Sequence, residues 1–173
     1  PIASCPCDDR NLHFHVERNP KDDFARNVFD VLIAGDPVTV FGPWGDFVLR
    51  ADSPRPILFV ASEAGFAPVK GLIEHAMSLD RAELLHLYWH AARPAGHYLV
   101  NLCRAWADAL DNFRYTTMAG GGAEDLVGRM ARDHADLAAF DIYLAGPETF
   151  VDGAAKTLAQ QGFPAAQLVA AAT

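Results

Sequence analysis

What the chain lacks narrows it first. No apolar run in its 173 residues is long enough to span a bilayer, and no segment reads as a signal peptide, so membrane insertion is not expected. Basic residues are short: 14 Lys and Arg stand against 22 Asp and Glu, for a net charge of -8. Nucleic acid and anionic membranes both demand basic surface, so neither is expected as a partner. Cysteine is scarce too. Three thiols make no disulfide framework and point to a reducing, cytoplasmic setting. An initiator Met is missing and the chain opens in what reads as mid-domain sequence, so it is expected to be a fragment of something longer. What remains is ordinary globular composition, 51% hydrophobic and 21% charged, enough for one good core or two small ones.

The most informative stretch runs from Ile57 to Lys70. An uninterrupted apolar run, Ile57 to Ala61, ends in a short turn that opens directly into Val69, Leu72, Ile73, Ala76 and Met77 at helical spacing. That is the pattern of a parallel strand, a turn and a helix whose N-terminus can receive phosphate. Beyond it the order stays regular. Strands are expected at 57–61, 84–89, 113–117 and 141–145, with a short last one near 167–170. Helices are expected at 66–79, 97–110, 124–134 and 148–161, the last stopped by Gly162. Alternation of this kind implies an α/β fold with a doubly wound parallel sheet.

Residues 1–52 read differently. Leu12, Phe14 and Val16 alternate with polar residues as in a half-buried strand, and Asp22 to Leu32 reads as a short helix. Turns at Gly35-Asp36 and Gly42-Pro43-Trp44-Gly45 bracket two further strand-like pieces, 38–41 and 47–49, with Trp44 as an aromatic wedge. These are too few elements to close a barrel. Ser53-Pro54-Arg55-Pro56 reads as a hinge, since its prolines block helix and ladder alike. The expected organisation is a partial barrel (1–52), a hinge (53–56) and a nucleotide domain (57–173).

Five pieces, in order along the chain, resemble the ferredoxin–NADP reductase superfamily, and within it the CDP-6-deoxyglucoseen reductase type. Ile2-Ala3-Ser4 looks like the tail of its flavin-contacting strand motif. Gly35-Asp36 with Gly42-Pro43-Trp44-Gly45-Asp46-Phe47 looks like its barrel-ending signature. Gly65-Phe66-Ala67-Pro68-Val69-Lys70 looks like its nucleotide turn, and His86-Leu87-Tyr88-Trp89, with Arg93 and Tyr98, like its second nucleotide strand. Gly146-Pro147-Glu148-Thr149-Phe150 looks like its late Gly-Pro turn beneath the nicotinamide. The resemblance implies the C-terminal part of an antiparallel flavin-binding β-barrel ahead of the parallel sheet. It also implies FAD and NADH or NADPH as cofactors, and an iron–sulfur domain or oxygenase as electron acceptor. Carried over residue by residue, Ile2, Ala3, Ser4, Phe24, Ala25 and Arg26 would line the flavin. Ala64, Gly65, Phe66, Ala67, Pro68, Gly146, Pro147 and Glu148 would line the nicotinamide, with Arg93 on the nucleotide as well.

The chain departs from the family at both phosphate turns. Ser62-Glu63-Ala64-Gly65 stands where members usually carry Gly-Gly-Thr-Gly, and Asp22-Asp23-Phe24-Ala25 stands where a hydroxyl is usual. A carboxylate beside a diphosphate is repulsive, whereas Glu63 beside a ribose would hydrogen-bond it. Two functions therefore stand open. One is a flavin-dependent oxidoreductase passing hydride from NAD(P)H to FAD and electrons onward; the other is a cofactor-depleted docking or regulatory module. Hydride transfer needs no protein base, so no catalytic side chain is expected and the histidines at 90 and 97 read as exposed loop residues. Cys5, Cys7, His13 and His15 are a valid zinc set at the wrong spacing for a finger, so they read as solvent-facing side chains rather than ligands. Cys103 and Trp106 fall on the apolar face of their helix and read as core.

Overall fold

The computed structural model describes residues 1–8, 10–80 and 82–173. Its centre is a parallel sheet built from β1 (Ile57–Ser62), β2 (Leu85–Ala91), β3 (Phe113–Ala119), β4 (Asp141–Gly146) and β5 (Leu168–Ala172). They lie side by side in the order β3-β2-β1-β4-β5. Ahead of the sheet comes the short helix α1 (Asp23–Arg26). The crossovers are α2 (Phe66–Leu79), α3 (Val100–Ala109), α4 (Ala123–Asp133) and α5 (Glu148–Gln160).

The strands read as unbroken apolar runs because both faces of the sheet are covered. Alternation then decides which side chain meets which layer. Phe59, Ala61, Leu87, Trp89 and Tyr143 face α2 and α3 and pack with Val69, Leu72, Ile73 and Cys103. Leu58, Val60, Tyr88, Ile142 and Leu144 face α4 and α5 and pack with Leu126, Val127, Met130 and Leu158. The nucleotide-type sheet read from the sequence is thus present, with element ends shifted by a few residues. The largest shift is at α3, which begins at Val100 because the chain first makes a tight turn over Pro94–Gly96.

Residues 1–56 depart from expectation. The described residues of this segment contain no strand ladder. The strand expected around Leu12 to Val16 is reduced to one antiparallel bridge, Ile2 to Phe14, and neither 38–41 nor 47–49 forms a strand. A ladder requires a neighbour for its N–H and C=O groups, and this chain supplies none there. Trp44 is 82% exposed instead of acting as a wedge. The helix expected over 22–32 is α1 followed by a wider turn, closed where the Leu32 N–H donates to the Asn27 carbonyl at 2.9 Å. Cys5 and Cys7 are bonded to each other, against the expectation of free thiols.

The segment is nonetheless anchored to the sheet and its helices. Ala3 N–H donates to His13 O at 2.7 Å, and buried Lys70 donates from Nζ to Ala3 O at 3.1 Å. Gly71 permits the approach, since a β-carbon there would sit 2.8 Å from Ser4 O. Further along, Phe47 and Leu49 pack against the α2/α3 core, and Arg50 N–H donates to the Tyr143 hydroxyl at 2.8 Å. Arg50 and Arg55 approach the buried Asp141 carboxylate at 3.9 and 3.8 Å.

Candidate nucleotide site

The strand order reverses direction at β1, so a crevice opens outside the carboxyl ends of β1 and β4. Open α/β sheets bind their ligands at such a switch point. Its walls are the β1–α2 turn and the turn after β4, and two glycines interlock them. A β-carbon on Gly65 would lie 2.2 Å from the Ala145 carbonyl oxygen, and one on Gly146 would lie 2.8 Å from the Ser62 β-carbon. Both overlaps are far inside van der Waals contact. The two glycines therefore serve the packing of one turn on the other, whatever else approaches them.

Among the residues predicted for the nicotinamide side, Gly65, Phe66 and Ala67 are buried, Ala64 and Pro68 are partly exposed, and Pro147 and Glu148 are open to solvent. Phe66 is a core residue: its ring stacks on Trp89 at 3.8 Å and 12°, with Tyr98 edge-on to both. Its main chain, not its ring, borders the turn. The structure brings the 64–68 and 146–148 residues together across the β1/β4 crevice.

Arg93 belongs to a neighbouring cleft of about 640 Å³ at the carboxyl ends of β1 and β2. Glu63, Ala64, Ala92, Tyr98 and His15 share its walls. Glu63 has a positive φ of 51° and its carboxylate accepts from the Ala92 N–H at 2.5 Å, spanning from one strand end to the next. Opposite, His15 Nδ1 lies 2.7 Å from the Tyr98 hydroxyl. Burial, then the nearby Lys70 charge, pulls the His15 pKa below its usual value, and burial pushes the Tyr98 phenol up. Both shifts favour the uncharged ring.

The flavin-side residues do not assemble into one surface. Ala3 and Ser4 are buried against α2, with the Ser4 hydroxyl accepting from His13 N–H at 3.2 Å, while Ile2 is partly open. Ala25 is buried and Phe24 is 63% exposed. Arg26 pairs with Asp23, and the Asp22 carboxylate accepts from Phe24 N–H at 2.9 Å and Ala25 N–H at 3.4 Å. The first amides of α1 are thus already bonded within the chain. The α1 turn, with its amides taken by Asp22, is a poor match for a diphosphate.

Sequence reasoning misplaced two histidines. His90 and His97 are buried, not exposed loop residues. His90 Nε2–H donates to the Gly121 carbonyl at 3.3 Å, and in that tautomer Nδ1 accepts a hydrogen bond from the Ser62 hydroxyl at 3.0 Å. Phe150 stacks on the same imidazole at 4.8 Å. One histidine thus ties together β1, β2, the Gly120–Gly122 loop and α5. The pair exists only in the register: Ser62 and His90 are direct neighbours, each one residue beyond its expected strand. Among the described residues no three His, Cys, Asp or Glu side chains are grouped to hold a metal ion, and no helix is long and apolar enough to cross a membrane.

Residues 59–156 match the model of the oxidoreductase NAD-binding domain. The chain belongs to that family. This domain is the nucleotide half of the ferredoxin reductase type that the motifs resemble. The chain is 29% identical over 169 residues to the CDP-6-deoxy-L-threo-D-glycero-4-hexulose-3-dehydrase reductase of Yersinia pestis, covering 93% of this chain and 50% of that protein. It is 25% identical over 173 residues to the reductase component of propane 2-monooxygenase from Rhodococcus jostii, covering 91% of this chain and 46% of the relative. The chain thus spans about half the length of these relatives. The Amycolatopsis cytochrome P450 reductase GcoB shares the fold, with a TM-score of 0.86 at 24% identity over 98% of this chain and 54% of that one.

Proposed function

We propose that the chain is the nucleotide-binding half of a flavin-dependent NAD(P)H oxidoreductase that delivers electrons to an iron–sulfur domain or oxygenase in the cytoplasm. The observation that carries this reading is the crevice at the β1/β4 switch point, walled by two turns that Gly65 and Gly146 lock together. Its relatives are themselves named as reductases, one of them a reductase component of a monooxygenase.

In this reading residues 1–52 are part of a flavin barrel, and Ile2, Phe24 and Arg26 are its contribution to FAD. Reduced nicotinamide supplies the hydride, and FAD takes it up as an electron pair to be released singly. The chain's own residues position and exclude water. Ala64, Gly65, Pro147 and Glu148 border the nicotinamide, the Ser62–His90–Gly121 chain fixes the strand ends beneath it, and Arg93 lines the neighbouring nucleotide cleft. No proton has to be moved by a side chain.

One observation favours a second reading, a docking or regulatory module without flavin: Asp22 occupies the amides at the front of α1. Absorption spectroscopy separates the two. Protein incubated with FAD and then given NADH or NADPH without oxygen should show flavin bands that bleach. Protein that stays colourless after FAD would sink the oxidoreductase reading and leave the module.

A further inference from the structure

Glu63 is in an unusual position for a residue on a nucleotide turn. It leaves the end of β1 in the left-handed backbone region that residues with a β-carbon rarely adopt. Its side chain then crosses to the neighbouring strand end. Oε1 accepts from the N–H of Ala92, the first residue after β2, and Oε2 lies beside Gly96, where a β-carbon would come within 3.2 Å of it. A larger residue at 96 would push that oxygen aside.

The carboxyl end of β2 is the ribose position of doubly wound dinucleotide folds. A carboxylate there accepts from the 2′-hydroxyl, and a cation there accommodates a 2′-phosphate. The carboxylate ordinarily comes from β2 itself. Here the residues following β2 are Ala92 and Arg93, and the carboxylate is delivered sideways by the β1 turn. The same cleft holds a second carboxylate, Glu17, against the one guanidinium of Arg93. Its lining charge is therefore net negative, which suits a ribose hydroxyl and opposes a phosphate dianion.

We propose that Glu63 makes this cleft select NADH over NADPH, by offering an acceptor to the ribose and repelling the 2′-phosphate. The inference rests on the reading that the chain binds a nicotinamide dinucleotide.

Calorimetric titration of the full chain with NADH and with NADPH tests it. NADH should bind tighter by roughly tenfold or more at low ionic strength, and the gap should narrow as salt screens the repulsion. Glu63→Gln keeps an acceptor for the Ala92 N–H and removes the charge, so it should raise NADPH affinity and narrow the ratio between the two nucleotides. Equal or tighter binding of NADPH by the parent protein, or an unchanged ratio in Glu63→Gln, would overturn the selectivity and leave nucleotide binding intact. Failure of both nucleotides to bind would overturn the functional reading together with this one.

Discussion

Gly65 and Gly128 make opposite use of the same residue type. At Gly65 an added methyl would meet the backbone of Ala145 at 2.2 Å, which no rotamer change relieves. Gly65→Ala should therefore destabilise by about 1–3 kcal/mol, or more if the crevice splays, as read by urea unfolding. At Gly128, inside α4, the nearest atom would be the flexible end of Arg132 at 3.6 Å. Gly128→Ala should stabilise by roughly 0.5–1 kcal/mol, because glycine is a poor helix former. His86 gives a pH prediction of the same scale. Its ring is buried between Thr116 Oγ1 at 3.0 Å and His134 Nε2 at 3.1 Å, with Asp133, Arg114 and Arg129 also facing it. Burial first, then His134, lowers its pKa from 6.5 to about 4, so within that window the unfolded chain binds the extra proton. The contribution is complete above pH 6.5 and is lost as pH falls toward 4. Melting curves across that window should flatten in His86→Gln, which keeps hydrogen-bonding capacity and cannot titrate; identical curves would contradict the assignment.

Among the elements, α4 shows how much a loop of glycines leaves to one side chain. Gly120 and Gly121 hold positive φ, and Asp125 reaches back to accept the Gly122 N–H at 2.9 Å. Asp125→Ala removes that cap and should cost about 0.5–2 kcal/mol in thermal or denaturant unfolding. The same scale explains what was legible in the sequence. Ile57 to Ala61 and the period of Val69, Leu72 and Ile73 announced β1 and α2 because burial on both faces leaves an unbroken apolar run and burial on one leaves a stripe. The pieces at 38–41 and 47–49 had the same local signal and formed no strand, since pairing is a property of the neighbour and not of the segment. Ser62–His90 was unreadable for a related reason: it exists only once the register of two strands is set. The Lys70 contact was unreadable too, because helical periodicity cannot foresee a carbonyl, that of Ala3, arriving from 67 residues away.

At the scale of the whole molecule, the sheet and its four covering helices form a complete nucleotide-type layer structure, while residues 1–56 lie along it with large apolar side chains such as Phe41, Trp44 and Ile33 exposed. The central claim is that the dinucleotide occupies the carboxyl ends of β1, β2 and β4. At 18.8 kDa the chain suits backbone amide NMR, and titration with NADH addresses that claim directly. The account predicts shifts concentrated at Ser62 to Phe66, Ala92 to Tyr98, Gly120 to Gly122 and Gly146 to Glu148, with the His86–His134 edge unmoved. An unchanged spectrum, or shifts confined to that far edge, would contradict it.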